Sequence, residues 1–305
     1  MTISYKKTKL RYGENPNQKA YLLQNKKKSI FDYQICGKMI SYNNIIDVDS
    51  GLKCLNEFKE PTSIIIKHTN PCGVASSKDI YKAFYKSFES DRKSAFGGVV
   101  FLNRKVNLKL ANYISKFFFE MVVATEYEKE AIKKLSDKKK LIILKIPKIK
   151  TKLIDKKTTL FGDLYQDSKS ADINTKFIKL VSKKDASKKD IEDLLFGLKI
   201  VKHLKSNAIV LSKNKQAVGL GSGQTNRVDA LNYAIKNKKK NFKDKNFVCV
   251  SDGFFPFTDS ISLLKKNGCK IIAQPYGSIN DYKVIAYAKR HKLSLYFTKN
   301  RLFKH

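Results

Sequence analysis

The chain has 305 residues and a formal net charge of +35, from 62 basic and 27 acidic residues. At 42% hydrophobic it can bury a core, which excludes wholesale disorder, and its length suits one large domain or two of ordinary size. No apolar run approaches the ~20 residues of a helical membrane span, and the start MTISYKKTKL lacks the apolar core of a cleaved signal.

The excess charge is lysine, scattered along the whole length, with arginine only at Arg11, Arg92, Arg104, Arg227, Arg290 and Arg301. Bulk charge of this kind fits a solvated lysine-rich surface or a polyanion-binding face. The five cysteines are odd in number and show no CxxC spacing, which suits reduced thiols in a cytoplasmic compartment. Cys72 forms half of a zinc-deaminase signature, but the next position of that signature holds Ala75 and no HxE precedes it. No metal site is expected.

Taken in chain order, LRYGENPNQ (10–18) is a polar turn segment, and a helical pattern follows over Gly51–Phe58. The β-rich run Ser63–Ile66 then exits into KHTNPCGVA, an ending with far more chemistry than a generic strand needs. A helix (Asp79–Phe88), the glycine-bearing strand SAFGGVVF, the strand MVVAT, a lysine-rich helix (Tyr127–Leu135) and the strand LIILKI complete the first half. The polar stretch LVSKKDASKKD (180–190) marks a join. The series then recurs as a helix (Asp190–Leu204), a strand (Asn207–Leu211), a turn at Lys213–Lys215, QAVGLGSGQ and a helix (Asp229–Ile235). VSDGFFPF, KIIAQ, a helix (Tyr282–His291) and LSLYF close it. Ile64 maps to Ile209 and Tyr127 to Tyr282, so the pattern predicts two similar α/β units, residues 1–184 and 185–305.

Several segments concentrate chemistry: LRYGENPNQ, KHTNPCGVA, SNAIV with GLGSGQTNR, SDGFFPFTD and the terminal RLFKH. Arginine offers a planar fork to phosphate or carboxylate, and three of the six arginines fall here. Each segment also has a plain reading. GLGSGQ suits a tight turn, FFPF suits core aromatics, and Asp259 suits a helix N-cap ahead of SISLLKK. His203 and His291 lie in lysine-rich helical patterns and read as surface residues; His68 and His305 are placed for chemistry.

In order, LRYGENPNQ, IKHTNPCGVA, DRKSAFGGVV, KSNAIV, VGLGSGQTNRVD, SDGFFPFTDSI, AQPYGSIND and FTKNRLFKH resemble the aminoimidazole carboxamide ribonucleotide (AICAR) formyltransferase half of the bifunctional purine biosynthesis protein family. The resemblance runs from Leu10 to the last residue. It implies two duplicated cytidine-deaminase-like α/β subdomains without zinc, and a homodimer with active sites at the subunit contact. It implies transfer of a formyl group from 10-formyltetrahydrofolate to the 5-amino group of AICAR.

That amine is conjugated with an electron-poor ring, so proton transfer near it and near the leaving folate nitrogen both help. By resemblance His68 moves the amine proton, and Lys67 serves the formyl group or the leaving nitrogen. Asn207 donates to the formyl oxygen and also meets folate. His305 sits near the reacting groups. Arg11, Tyr12 and Arg301 grip the phosphate and ribose, and Arg227 and Asp259 the base and carboxamide. Gly97, Glu120 and Phe254 serve folate. Strand alternation sends Lys67 and His68 to opposite sides, so an Asn70-Pro71 turn is expected to let them converge.

The sequence departs from the family pattern at Asn17, where histidine is common, and at Asn226 and Tyr276, where smaller residues are usual. A short polar linker from Asn237 to Val248 is of bacterial type. The cyclohydrolase domain that normally precedes LRYGENP is absent, so ring closure to inosine monophosphate is not expected from this chain and falls to a separate cyclohydrolase. The competing reading is a nucleic-acid-binding protein on a deaminase-like fold, motivated by the charge alone.

Overall fold

The computed structural model describes residues 6–24, 28–148, 154–168, 172–183 and 185–305. The boundary expected at 184/185 touches Lys184, which lies outside the described residues, as do the first five residues of the basic start. In chain order the elements begin with β1 (Lys6–Lys9) and β2 (Tyr21–Gln24), which among the described residues pair only with each other. The first half continues with β3 (Gln34–Cys36), α1 (Tyr42–Leu55), β4 (Thr62–Lys67), β5 (Asn70–Ser76), α2 (Ile80–Ser90) and α3 (Arg92–Ala95). It ends with β6 (Val99–Leu102), α4 (Leu108–Ile114), β7 (Met121–Ala124), α5 (Lys129–Ser136) and β8 (Ile142–Lys145). A separate hairpin, β9 (Ile154–Thr159) with β10 (Gly162–Asp167), follows. The second half comprises β11 (Ile178–Leu180), α6 (Lys188–Val201), β12 (Ile209–Lys213), β13 (Gln216–Gly221), α7 (Arg227–Asn241), β14 (Val248–Ser251), α8 (Thr258–Lys266), β15 (Ile271–Pro275), α9 (Asp281–Arg290) and β16 (Ser294–Thr298).

Among the described residues one 12-stranded sheet runs β11-β16-β15-β14-β12-β13-β5-β4-β6-β7-β8-β3. Read outward from its middle, the order on one side (β5-β4-β6-β7-β8-β3) recurs on the other (β13-β12-β14-β15-β16-β11), with the same parallel and antiparallel pairings. The bulges recur too: the register slips between Ile65 and Ile66 in one hairpin and between Leu211 and Ser212 in the other. These slips match Ile64 to Val210, one residue beyond the expected Ile209. A single-residue shift turns a side chain to the other face of a sheet, so the apolar pattern alone set that match one position short.

Both faces of the central strands are covered by helices, so β4 reads as an unbroken buried run from Thr62 to Ile66 rather than an alternating one. The two halves meet at a narrow seam, where Gln216 pairs with Ala75 and the Ser76 amide donates to the Lys215 carbonyl at 2.9 Å. Apolar packing and polar contacts such as the Lys215–Glu60 ion pair at 2.7 Å add to the join. One core cluster holds residues of both halves, including Phe58 and Phe196 with ring centroids 5.5 Å apart. Helix α1 starts at Tyr42, well before the expected Gly51, because Ser41 and Asn44 form a reciprocal capping box. Helix α7 runs to Asn241, into the stretch expected to be linker.

Candidate active site

The strand directions put several of the predicted residues on one rim of the sheet, and of them only Lys67 and His68 line its cleft. Strand β4 is antiparallel to β5, β5 to β13 and β13 to β12, so the end of β4 and the start of β12 lie on the same rim of the sheet. Strands β6 and β7 begin on that rim and β14 and β16 end there. Lys67, Gly97, Glu120, Asn207, Phe254 and the 301–305 tail therefore share one rim. Three strand spacings separate β4 from β12, about 14 Å.

At the end of β4, Lys67 pairs with Asn70 across a two-residue loop of His68 (φ 51°) and Thr69 (φ 66°). Positive φ at both central residues is the geometry of a tight hairpin turn usually given to Asn-Gly, and a β-branched residue resists it. The turn thus lies one step before Asn70-Pro71, which instead opens β5; this corrects the expected turn. Its left-handed residues bring Lys67 and His68 to one cleft of about 390 Å³, walled also by Asp91, Lys205, Ser222 and Gln224. The turn is tied to α1. Thr69 donates its amide to Asp47 Oδ1 at 2.7 Å, and Ser50 Oγ donates to the Thr69 carbonyl at 2.6 Å. Burial raises the Asp47 carboxyl above its ordinary value, opposed by that amide and by the charges of His68 and Lys67.

Lys67 Nζ donates to the Phe96 carbonyl at 3.0 Å. Gly97 follows at φ 66°, and a Cβ there would meet Lys67 Nζ at 3.1 Å, so the glycine lets the ammonium approach the backbone. Arg11 donates to the Tyr12 hydroxyl at 2.9 Å and to Glu120 Oε1 at 3.3 Å, while Lys38 Nζ reaches Glu120 Oε2 at 2.7 Å. Arg11, Tyr12 and Glu120, expected to serve two different ligands, are thus one polar group here.

Behind Gln224, which lines the cleft, Asn207 Oδ1 accepts from Arg227 at 2.7 Å, and its side-chain amide nitrogen donates to the Gln224 and Thr225 carbonyls at 2.9 and 3.2 Å. Arg227 is held by the fully buried Asp252 carboxylate and by Ser251 Oγ at 2.9 Å. Ser206 Oγ donates to the other Asp252 oxygen at 2.6 Å. The Arg301 guanidinium lies 5.3 Å from the Phe254 ring and 5.8 Å from Phe303. The tail is pinned by the Leu302 amide on the Asp252 carbonyl at 3.0 Å, and it leaves His305 exposed near Phe303. Asp259 is exposed in the first turn of α8, whose N-cap position is Phe257, so it favours the helix dipole without capping it. Asn70 bridges the two sides, its Oδ1 accepting from the Lys205 amide at 3.1 Å and Ser222 Oγ at 3.0 Å.

His203 departs from expectation. It lies just past the end of α6, packed inward with Nε2 3.5 Å from Glu57, and burial lowers its pKa. Burial pushes the Cys72 thiol up to about 12, so it is no ready thiolate ligand, and among the described residues no His, Cys, Asp and Glu side chains gather as a metal site. Asp47, Ser50, Lys38 and Asp252 escaped the sequence reading. Asp252 stands inside the quoted SDGFFPF, whereas nothing in IIDVDSG points to a turn that is distant in sequence. A larger cavity, about 710 Å³, opens near Lys215 at the opposite rim and holds none of the predicted residues.

The arrangement can therefore hold an anionic, hydrogen-bonding ligand beside a histidine and a lysine, on the sheet rim of an α/β protein. The chain belongs to the AICARFT/IMPCHase bienzyme family, whose pattern it matches over residues 1–237. It is 44% identical over its full length to the bifunctional purine biosynthesis protein PurH of Thermoanaerobacter sp. (strain X514), covering 60% of that protein. It is 43% identical to PurH of Buchnera aphidicola subsp. Baizongia pistaciae (strain Bp), again over its full length and 60% of that protein. With PurH of Aquifex aeolicus (strain VF5) the identity is 41%, over 97% of this chain and 59% of the other. The chain thus spans about 60% of the length of the relatives it matches.

Proposed function

We propose that this chain carries AICAR formyltransferase activity, moving a formyl group from 10-formyltetrahydrofolate to the 5-amino group of AICAR in purine biosynthesis. The observation that carries the reading is the convergence of Lys67 and His68 in one cleft, in a chain of this family. The amine nitrogen attacks the formyl carbon, forming the new C–N bond, and His68 accepts the amine proton. The bond from the formyl carbon to the folate nitrogen breaks, and Lys67 supplies the proton that nitrogen takes up. Asn207, once its amide nitrogen is released from the Gln224 and Thr225 carbonyls, donates to the oxygen that gains charge in between, and His305 closes on the reacting groups.

Arg11, Tyr12 and Arg301 bind the phosphate and ribose of AICAR, and Arg227 and Asp259 its base. Folate lies against Phe254 with Gly97, Glu120 and Asn207. The recurring strand order supports two cytidine-deaminase-like units, residues 1–184 and 185–305, with no metal needed. The working form is a cytoplasmic homodimer with its sites at the subunit contact, and the product passes to a cyclohydrolase activity. The nucleic-acid alternative gains no support from the family or the relatives. The test is tetrahydrofolate release from AICAR and 10-formyltetrahydrofolate, with the parent chain beside His68→Ala. A loss of roughly 100-fold or more in kcat with the fold intact is expected for removal of a proton-transfer group. No turnover by the parent chain at any salt would overturn the reading.

A further inference from the structure

We propose that Asp47 is a positioning residue for His68, acting through the left-handed His68–Thr69 turn. The proposal rests on the formyltransferase reading for what His68 does. Where His68 is held is a separate matter of geometry. Both backbone groups of Thr69 are tied to one helix, its amide to Asp47 at 2.7 Å and its carbonyl to Ser50 at 2.6 Å. Asn70 Nδ2 donates to the His68 carbonyl at 3.1 Å. Two residues with side chains at positive φ do not keep that conformation unaided, since left-handed backbone is strained for both. Without its ties to α1 the turn can relax, and the His68 ring then leaves the side of the sheet on which Lys67 points into the cleft.

The molecule carries its own control. In the second half the same hairpin turns through Asn214 and Lys215, both at φ 52°. Asp193, on the helix before that hairpin, accepts their amides at 2.8 and 2.7 Å. That turn lies at the opposite rim and holds no candidate catalytic group. The clamp is thus a device of both halves, and only in the first does it aim a histidine into a cleft. The first clamp has an added tie. Lys304, in the C-terminal tail, donates to the His203 carbonyl at 3.0 Å and lies 3.5 Å from Ser50 Oγ, joining the segment that carries His305 to the helix that holds His68.

The experiment compares kcat and KM of the full chain with Asp47→Ala, Asp47→Asn, Ser50→Ala and Asp193→Ala. Histidine side-chain NMR spectra are recorded beside them. The chain has four histidines, and His68→Ala assigns the His68 signal. For Asp47→Ala we expect kcat to fall about 100-fold with KM within about threefold, the scale of a small misplacement of a reacting group. The His68 signal alone should move toward that of free imidazole. Asp47→Asn keeps an acceptor for the Thr69 amide and should recover most of kcat, which separates the clamp from the charge. Asp193→Ala should lower the melting temperature yet leave kcat within about twofold and the His68 signal in place, because its turn is remote from the cleft. Unchanged kcat and His68 signal in Asp47→Ala overturn the proposal; so does an equal loss in Asp193→Ala, or an asparagine variant no better than alanine. If Asp47→Ala does not fold, Ser50→Ala decides, and an unmoved His68 signal with full kcat overturns it. Absence of turnover in the parent chain counts against the formyltransferase reading, while the spectra still decide the clamp.

Discussion

Arg227 is held by a carboxylate that water does not reach, and removing it leaves that charge uncompensated. Arg227→Ala should cost about 3–5 kcal/mol, the range for breaking a buried ion pair, measurable by urea unfolding. Arg227→Lys, which keeps the charge and loses the fork, should cost less. Gly97→Ala places a methyl against Lys67 Nζ at positive φ. It should lower turnover and cost roughly 1–2 kcal/mol, the penalty of a side chain in left-handed backbone. Two carboxylates should give opposite pH signatures. Burial works to raise Glu120, but the Lys38, Asn44 and Arg11 hydrogen bonds outweigh it and leave its pKa below the ordinary 4.5. The stability it contributes is present above that value and is lost as pH falls through the lowered folded one. Asp47 is raised above 3.8, so its contribution is present below 3.8 and is lost as pH rises through the folded value. As pH rises from about 3.5 to 7, stability relative to the parent chain should shift toward Asp47→Asn and against Glu120→Gln. Urea titrations at a series of pH values check both signs.

The hairpin and its helix make the unit at the next scale. Helix α1 is partly legible as an apolar pattern ahead of a β-rich run, and the strand that follows is legible because a run buried on both faces reads as continuous apolar sequence. Sequence places the turn one step late because Asn-Pro is a stronger local turn signal than His-Thr. Here α1 overrides local preference through two hydrogen bonds. The edge strands β3 and β11 are three residues each and carry no pattern long enough to read. The halves join through side-chain packing more than through their narrow backbone seam. Phe196→Ala, at a buried ring against Phe58, should therefore cost about 3–5 kcal/mol and destabilise both halves in one unfolding transition. Calorimetry that resolved two separate transitions in the parent chain would contradict this coupling.

Over the whole molecule the charge of +35 is spread rather than gathered. Lysines pair locally, as Lys215 does with Glu60 at 2.7 Å and Glu192 at 3.2 Å, but positive charges far outnumber their partners. Like charges at these densities repel, and salt screens them over a Debye length of about 10 Å at 0.1 M. Raising the salt from about 0.05 to about 0.5 M should raise the melting temperature, by roughly 2 °C for each kcal/mol of repulsion relieved. A melting temperature that falls with salt would show that local ion pairs outweigh the net repulsion.

The order of the main helices and central strands, the recurrence of one α/β pattern and the segments that carry chemistry were determined by the sequence, because periodicity and turn composition act over a few residues. The family resemblance lay there as well, in motifs spread from Leu10 to His305. Tertiary structure alone decided that two sub-sheets share one rim, which follows from strand directions and from a seam between residues far apart in the chain. It also decided that Glu120 stands with Arg11, that His203 faces inward and that Asp47 holds the His68 turn. Each of these is a contact across a long stretch of chain, formed when burial removes water as the competing partner, and no local pattern records it.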